Sequence, residues 1–411
     1  MFDIVKQKRR IISHFLMEYV LSMSAYWVCA GVFVAKLTEY FKLPLGLSNF
    51  LTGLSSSLLL LQLLGGGLYP CVRKKRRYLI ITNIAWRIML CLVFLCVLLP
   101  QESGGVAVCG LLILMQVVYQ ICAPAQADWQ VKAVEELADA TYYTHRETYF
   151  MFLYTVMIAI TEAIVAILEP RNMLQESFCI IGLIEIALLG TSCVFLFHLP
   201  SPTQEAKSIS LFSFGRALTD RRFAPVLWTN AFWGFANIFV GGFATLYAVR
   251  ILQVNFTQIM IWTTVGNFLR AVFTPVFASL ASKIGWKHCL LLQIMLTLIV
   301  AIGWWLCDRH NSFWLVPLLF SSMPVPIAGI TLGLFRLQVE TSPKAQRSVY
   351  FSLNAAVSGA LALLGTALCS ALVTLVESGI LERPLSSVFI LGGMLLCIPV
   401  FFLYRIQDNI Y

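Results

Sequence analysis

Residues 73–99 read RKKRRYLIITNIAWRIMLCLVFLCVLL. Five consecutive basic side chains precede a 22-residue run, Tyr78 to Leu99, whose only charged residue is Arg87. A helix needs about 20 mostly apolar residues to cross the hydrocarbon core of a bilayer. A run of that length reads as a membrane span, with the basic cluster holding its inner end against the cytoplasmic face.

The same signature repeats along the whole chain. Twelve apolar segments can be read, at about 12–35, 46–68, 78–99, 106–127, 148–168, 177–199, 223–247, 257–281, 288–307, 313–336, 348–375 and 385–404. The spans around Pro124, Pro275 and the Pro317/Pro324/Pro326 group are expected to be proline-broken, which neighbouring helices make tolerable in a membrane. Composition agrees. Apolar residues make up 59% of the 411, charged residues only 12%, and mean hydropathy is +0.82, whereas a soluble domain carries roughly 25% charge. This excludes a cytosolic enzyme, a secreted disulfide scaffold, a disordered chain and a nucleic-acid-binding module. The fold class is therefore an all-α integral membrane protein.

Lysine and arginine orient it. With the N-terminus inside, 21 of the 29 basic residues fall on inner segments: Lys6, Lys8, Arg9, Arg10, Arg73 to Arg77, Lys132, Arg146, Lys207, Arg216, Arg221, Arg222, Lys283, Lys287, Arg336, Lys344, Arg347 and Arg405. Six fall outside: Lys36, Lys42, Arg171, Arg250, Arg309 and Arg383. Arg87 and Arg270 lie within spans. Under the positive-inside rule both termini are cytoplasmic. The start, Met1 to Arg10, is basic, but His14 and Glu18 interrupt the apolar run that follows and no small-residue cleavage site appears, so no cleavable signal is expected. The Asn255 sequon sits hard against a span and reads as chance.

The twelve cysteines form no CxxC and no Cys/His cluster. They read as small buried hydrophobes, with no metal or other cofactor expected. The longest polar stretch between spans runs from Pro200 to Arg222. It divides the chain into an N-terminal six-helix bundle (1–199), a cytoplasmic linker (200–222) and a C-terminal six-helix bundle (223–411).

The inner loops of the two halves echo one another. Gly67-Leu68-Tyr69-Pro70-Cys71-Val72-Arg73-Lys74-Lys75-Arg76 follows the second span. Ala278-Ser279-Leu280-Ala281-Ser282-Lys283-Ile284-Gly285-Trp286-Lys287 follows the eighth. Ala125-Gln126-Ala127-Asp128 leading to Arg146 is matched by Arg336 to Glu340 leading to Arg347. Twelve spans in two pseudo-symmetric halves, a central linker and these loops resemble the major facilitator superfamily over nearly the whole chain. That family's loop reads Gly-x-Leu-Ala-Asp-Arg-x-Gly-Arg-Arg. Here Cys71 and Val72 stand at the Asp and Arg positions, and Ser282 and Lys283 in the second copy.

The resemblance implies a secondary transporter working by alternating access. It makes Gly67, Arg73, Arg76, Lys283, Gly285 and Lys287 gating-loop candidates, and lines the substrate cavity with the first, fourth, seventh and tenth spans. The second, fifth, eighth and eleventh would then form the moving interface. Small residues at three- and four-residue spacing on two of them fit that role: Gly46, Gly53, Ser56 and Ser57 on the second, and Ser352, Ala355, Gly359, Ala362, Thr366 and Ser370 on the eleventh.

An ionisable residue within a span costs about 2.5–3.5 kcal/mol and marks function by default. Glu18, Arg87, Glu162, Glu185 and Arg270 are such residues, candidates for proton coupling or ion pairing. Glu18 shares a stripe with His14, Ser22 and Tyr26 and lies roughly 10 Å above the inner helix end. Arg87 reaches a similar depth, so the two can pair. Glu162, with Thr155 one heptad below it, and Glu185 sit at similar outer depth. Two carboxylates close together in low dielectric cannot both stay ionised cheaply, which makes one a candidate proton carrier. Glu185 has an alternative, to snorkel toward headgroups. If the family fold holds, Arg270 faces the fifth helix, where it either holds an anionic substrate or Glu162 or acts as static glue.

Polar stripes mark the cavity helices. Tyr26, Gln116, Gln120, Asn230, Trp233, Asn237, Ser321 and Thr331 are the substrate-cavity candidates. Amides, hydroxyls and aromatic rings suit a neutral or zwitterionic solute, and interhelical hydrogen bonding is the structural alternative. The leading reading is proton-coupled uptake of a small polar organic solute, sugar- or nucleoside-like, by a monomer in a bacterial plasma membrane. Its partners are the solute, protons or another coupling ion, and the lipid bilayer, with no nucleic acid. The alternatives are efflux of amphiphilic compounds by antiport and a non-transporting membrane sensor.

Overall fold

The computed structural model describes residues 2–29, 32–52, 54, 58–137, 141–202, 212–377 and 385–406. Lys207 and Arg383 of the charge count, residues 203–211 of the expected linker, and Gly53, Ser56 and Ser57 of the second expected span lie outside them. All regular structure among the described residues is helical. Ten helical spans among the described residues, some joining two successive helices, are long and apolar enough to cross a membrane. The chain is a multi-pass membrane protein.

Over their described residues, the first two expected spans are not single helices. The first becomes α1 (Phe2–Val28) and α2 (Val32–Tyr40), and the second becomes α3 (Leu45–Thr52), a short 3-10 turn and α4 (Gln62–Leu68). Next come α5 (Lys75–Leu95), α6 (Gln101–Leu137), α7 (Tyr142–Leu168) and α8 (Leu174–Phe197). After them run α9 (Phe212–Thr219), α10 (Ala224–Asn237) and α11 (Phe243–Arg250), the last two joined by a π-helical turn, Ile238–Gly242. The remainder are α12 (Phe256–Ile284), α13 (Trp286–Leu306), α14 (Ser312–Ser322), α15 (Pro324–Thr341), α16 (Arg347–Glu377), α17 (Ser387–Leu395) and α18 (Cys397–Tyr404).

Two of the expected proline breaks are absent. α6 runs through Pro124 and α12 through Pro275 without interruption. Each proline frees one carbonyl four residues back, of Gln120 and Ala271, and the rest of the ladder holds. At the third, α14 ends at Ser322 and Pro324 opens α15, but Met323 between them keeps a helical φ of −57° and ψ of −38°, so Ser312–Thr341 still runs as one span with only a local interruption. Between α12 and α13, Gly285 has φ +82°, a conformation that excludes most other residues.

The contacts divide the chain into two compact units, Met1–Leu211 with Lys344–Ser352, and Phe212–Pro343 with Leu353–Tyr411. In the first, α1 packs on α7 and α8, α5 on α6 and α8, and α4 on α6. The α4–α6 crossing is close because Gly65 has no side chain: a Cβ there would stand 2.8 Å from the backbone carbon of Ile121. In the second, α12 packs on α14 and α15, α13 on α15 and α17, and α10 on α18. Its core holds Trp304 between Phe320 and Phe389, with ring centroids 5.0 and 5.6 Å away. Large apolar side chains cover the outside instead of the interior alone. Val106, Leu183, Ile299, Phe313 and Met394 are each more than 60% exposed, as a lipid-facing surface requires and a water-facing one does not tolerate in bulk.

Candidate functional site

The first unit buries a charged node where three helices meet. α1 supplies Glu18, α5 supplies Arg87 and α6 supplies Gln126. Glu18 and Arg87, 2% and 1% exposed, form an ion pair through Glu18 Oε1 and Arg87 Nη2. Gln126 Nε2 donates to both carboxylate oxygens, at 3.2 and 3.4 Å. The Arg87 guanidinium also lies 5.2 Å from the Trp86 ring, and its Nε has no hydrogen-bond partner. One turn before Arg87, Asn83 accepts from Trp86 Nε1 at 3.2 Å and donates to Leu79 O at 2.9 Å. The node is thus braced by its own helix.

Beside it, Tyr26 stacks on Tyr119 with ring centroids 4.3 Å apart, and Trp86 meets Tyr119 edge-on at 5.5 Å. Tyr26 donates its hydroxyl to Gln116 Oε1 at 3.0 Å. Gln120 accepts from Gln62 on α4 at 2.7 Å. Of the cavity candidates in this unit, Tyr26, Gln116 and Gln120 are therefore gathered into one buried amide and aromatic cluster adjoining the charged node.

Glu185 does not snorkel. It is fully buried on α8, within electrostatic reach of Cys29 and Cys91, and neither carboxylate oxygen has a hydrogen-bond partner. Its helix packs against α1 and α5, so the side chain points into the unit rather than to lipid. Glu162 is half-buried on α7, the helix that also carries buried Thr155.

The second unit places its candidates more loosely. Asn230 donates to Ser358 Oγ at 3.1 Å, and Ser321 to the carbonyl of Trp262 at 3.4 Å. Trp233 packs against the core formed by α10, α13, α15 and α18 with its indole N–H buried and unbonded. Asn237 ends α10 at the π-helical turn. Arg270 reaches Thr331 Oγ1 at 3.4 Å.

The gating-loop candidates separate by burial. Gly67 is half-buried, and Arg73, Arg76 and Lys283 are exposed. Lys287 is instead 8% exposed, with its ammonium donating to Ile406 O at 3.1 Å, so it tethers the end of α18.

Two further charged groups escaped the sequence reading. Arg146, counted as an inner-loop charge, is 5% exposed, bonded to Glu147 at 2.7 Å and Gln130 at 2.9 Å and stacked 4.4 Å from the Tyr19 ring. Arg347, 2% exposed, donates to both carboxylate oxygens of Glu135, at 2.8 and 3.2 Å. Arg347 opens α16 and Arg146 lies one turn into α7, each shortly after a polar segment, the signal that the repeated inner loops carried.

No protein-family model matches the chain, and no curated protein matches it. Solved structures do. A bacterial homologue of the iron transporter ferroportin, crystallised outward-facing with soaked iron, superposes with a TM-score of 0.70 at 13% identity, over 97% of this chain and 99% of that one. A variant of the E. coli fucose:proton symporter FucP gives 0.69 at 10% identity over 98% and 99%. A double-tryptophan variant of XylE gives 0.67 at 15% over 98% and 96%. FucP is described as a major facilitator superfamily transporter. Identities this low speak to the fold and not to the cargo. From end to end, the chain has the major facilitator fold.

Proposed function

We propose that the chain is a secondary active transporter working by alternating access, in which proton movement drives uptake of a small polar organic solute of sugar- or nucleoside-like chemistry. The observation that carries this reading is the buried Glu18–Arg87–Gln126 node, held in a fold shared with transporters, one of them a proton symporter. A buried ion pair adds little net stability over apolar packing. Here it answers to a second purpose. A proton on Glu18 releases the Arg87 guanidinium and the Gln126 amide together, and one binding event then changes the partners of three helices. Alternating access needs a two-state element of that kind.

The neighbouring Tyr26–Tyr119 stack with Gln116 offers ring faces and amides to a polar solute. The same rings favour a second reading, antiport of amphiphilic compounds. In either case both termini lie on the cytoplasmic side of a plasma membrane, as the basic residues are distributed, and the monomer is the transporting unit.

The test is in two steps. Sugars and nucleosides are screened for those that raise the melting temperature of the purified protein, since a ligand of the folded state stabilises it. A stabilising solute is then offered to proteoliposomes containing a pH-sensitive dye. Solute-dependent proton entry with uptake is the expected result. Proton exit with uptake moves the reading to antiport, and solute flux indifferent to the proton gradient removes proton coupling.

A further inference from the structure

At the basic end of α5 the surface opens into a cavity of about 650 Å³. Lys74, Arg76 and Arg77 line its polar side, Ile80 and Ile81 its apolar side, and Ser201 and Pro202 border it as well. Among the described residues that line it, none is a carboxylate. Arg76 is held in place: its Nη2 donates to the carbonyls of Phe197 at 3.1 Å and Leu199 at 3.5 Å, at the end of α8, while the side chain stays exposed. Lys75, which also borders the cavity, turns its ammonium over the Tyr69 ring at 5.3 Å and is largely buried. Three exposed cations therefore share one concave site, with one of them fixed by the fold.

The apolar side continues away from the cavity. Ile81, Ile88, Leu92 and Leu95 are 53, 53, 40 and 46% exposed. Steps of seven, four and three residues place them on one face of the helix, and Arg77, four residues before Ile81, heads the same stripe. A cationic pocket thus sits at the top of an exposed hydrocarbon track, on a helix that crosses the membrane. We propose that this is a binding site for an anionic phospholipid, with its phosphate among Lys74, Arg76 and Arg77 and an acyl chain along Ile81, Ile88, Leu92 and Leu95. Basic pockets at the membrane surface attract anionic headgroups. The track is what selects a lipid over a dissolved anion, which has no use for it. This site does not depend on the transport reading.

The experiment uses the full chain, delipidated in neutral detergent, with bound lipid counted by native mass spectrometry and affinity read from thermal stabilisation. The probes are phosphatidylglycerol, phosphatidylcholine, inorganic phosphate and glycerol 3-phosphate. Phosphatidylglycerol is expected to bind and stabilise, and phosphatidylcholine not to. The double variant Lys74→Gln/Arg77→Gln changes only exposed side chains and should bind phosphatidylglycerol at least about tenfold more weakly. Arg221→Gln/Arg222→Gln, exposed basic residues elsewhere, should leave it unchanged. Equal loss in both variants would mean diffuse charge attraction and overturn the site. Equal binding of phosphatidylcholine overturns the headgroup assignment. Displacement of the lipid by millimolar phosphate or glycerol 3-phosphate makes this a soluble-anion site and overturns the lipid.

Discussion

Arg87 on α5 and Glu18 on α1 stand 69 residues apart in the chain and close on each other in the core of the first unit, with almost no solvent access to either. Charges of opposite sign in such a setting are coupled, because each is the other's main compensation. Removing one leaves an uncompensated charge, which costs about 3–5 kcal/mol. Glu18→Gln and Arg87→Gln should each lower the melting temperature of the detergent-solubilised protein, and the double variant should recover part of the loss. A double variant no more stable than the worse single one would show that the two side chains contribute independently.

This pairing was open to sequence reading because depth along a helix follows from residue count. Glu18 and Arg87 are each the charged residue of an apolar run, and the count sets them level. Gln126 could not be placed with them, since an uncharged amide near the end of an apolar span carries no such mark. The length of α6 was hidden for a related reason. Hydropathy falls at Asp128, yet the helix continues to Leu137, with Lys132, one turn on, pairing with Asp128 at 3.1 Å. Arg146 shows the limit most plainly. It counts as an inner-loop charge until rings from two other positions, Tyr19 and Tyr143, and the Gln130 amide close around it. Those partners lie on other helices or other turns, and only tertiary packing brings them together.

Arg347 and Lys344 both reach Glu135, and they should behave differently. Arg347 is buried and makes two hydrogen bonds, whereas Lys344 is 75% exposed on its side chain and stands 3.6 Å away. An exposed single contact contributes about 0–1 kcal/mol and is screened by salt. Lys344→Ala is therefore expected to leave the melting temperature nearly unchanged. Arg347→Ala should lower it clearly, and Arg347→Lys should not restore it, because an ammonium cannot reproduce the two-pronged guanidinium contact. Equal effects of the two alanine variants would contradict the burial difference.

The charge distribution predicts the side of the membrane on which Cys71 lies. Its thiol is exposed at the end of the turn after α4, next to the basic run that begins at Arg73. A membrane-impermeant maleimide should not label it on intact cells and should label it once the cells are permeabilised. Cys71→Ser identifies the labelled position. Labelling before permeabilisation would reverse the orientation and put both termini outside.

Glu162 carries the most demanding prediction. It is a half-buried carboxylate on α7, a helix that spans the membrane and packs against α1, the helix of Glu18. Glu185, on α8, is a second carboxylate in the same unit. An ionisable group at that depth is costly to insert, by about 2.5–3.5 kcal/mol, and such residues mark proton and substrate paths. If Glu162 carries the coupling proton, Glu162→Gln fixes the side chain in a form that resembles the protonated state. Uphill accumulation of the transported solute should then be lost. Solute binding, and exchange of labelled for unlabelled solute without a proton gradient, should persist, because neither requires the proton to leave. A packing role predicts another pattern, in which folded yield, binding and exchange fall together. Uphill transport that survives Glu162→Gln at normal expression takes this residue out of the coupling mechanism and leaves Glu18 as the carboxylate to pursue.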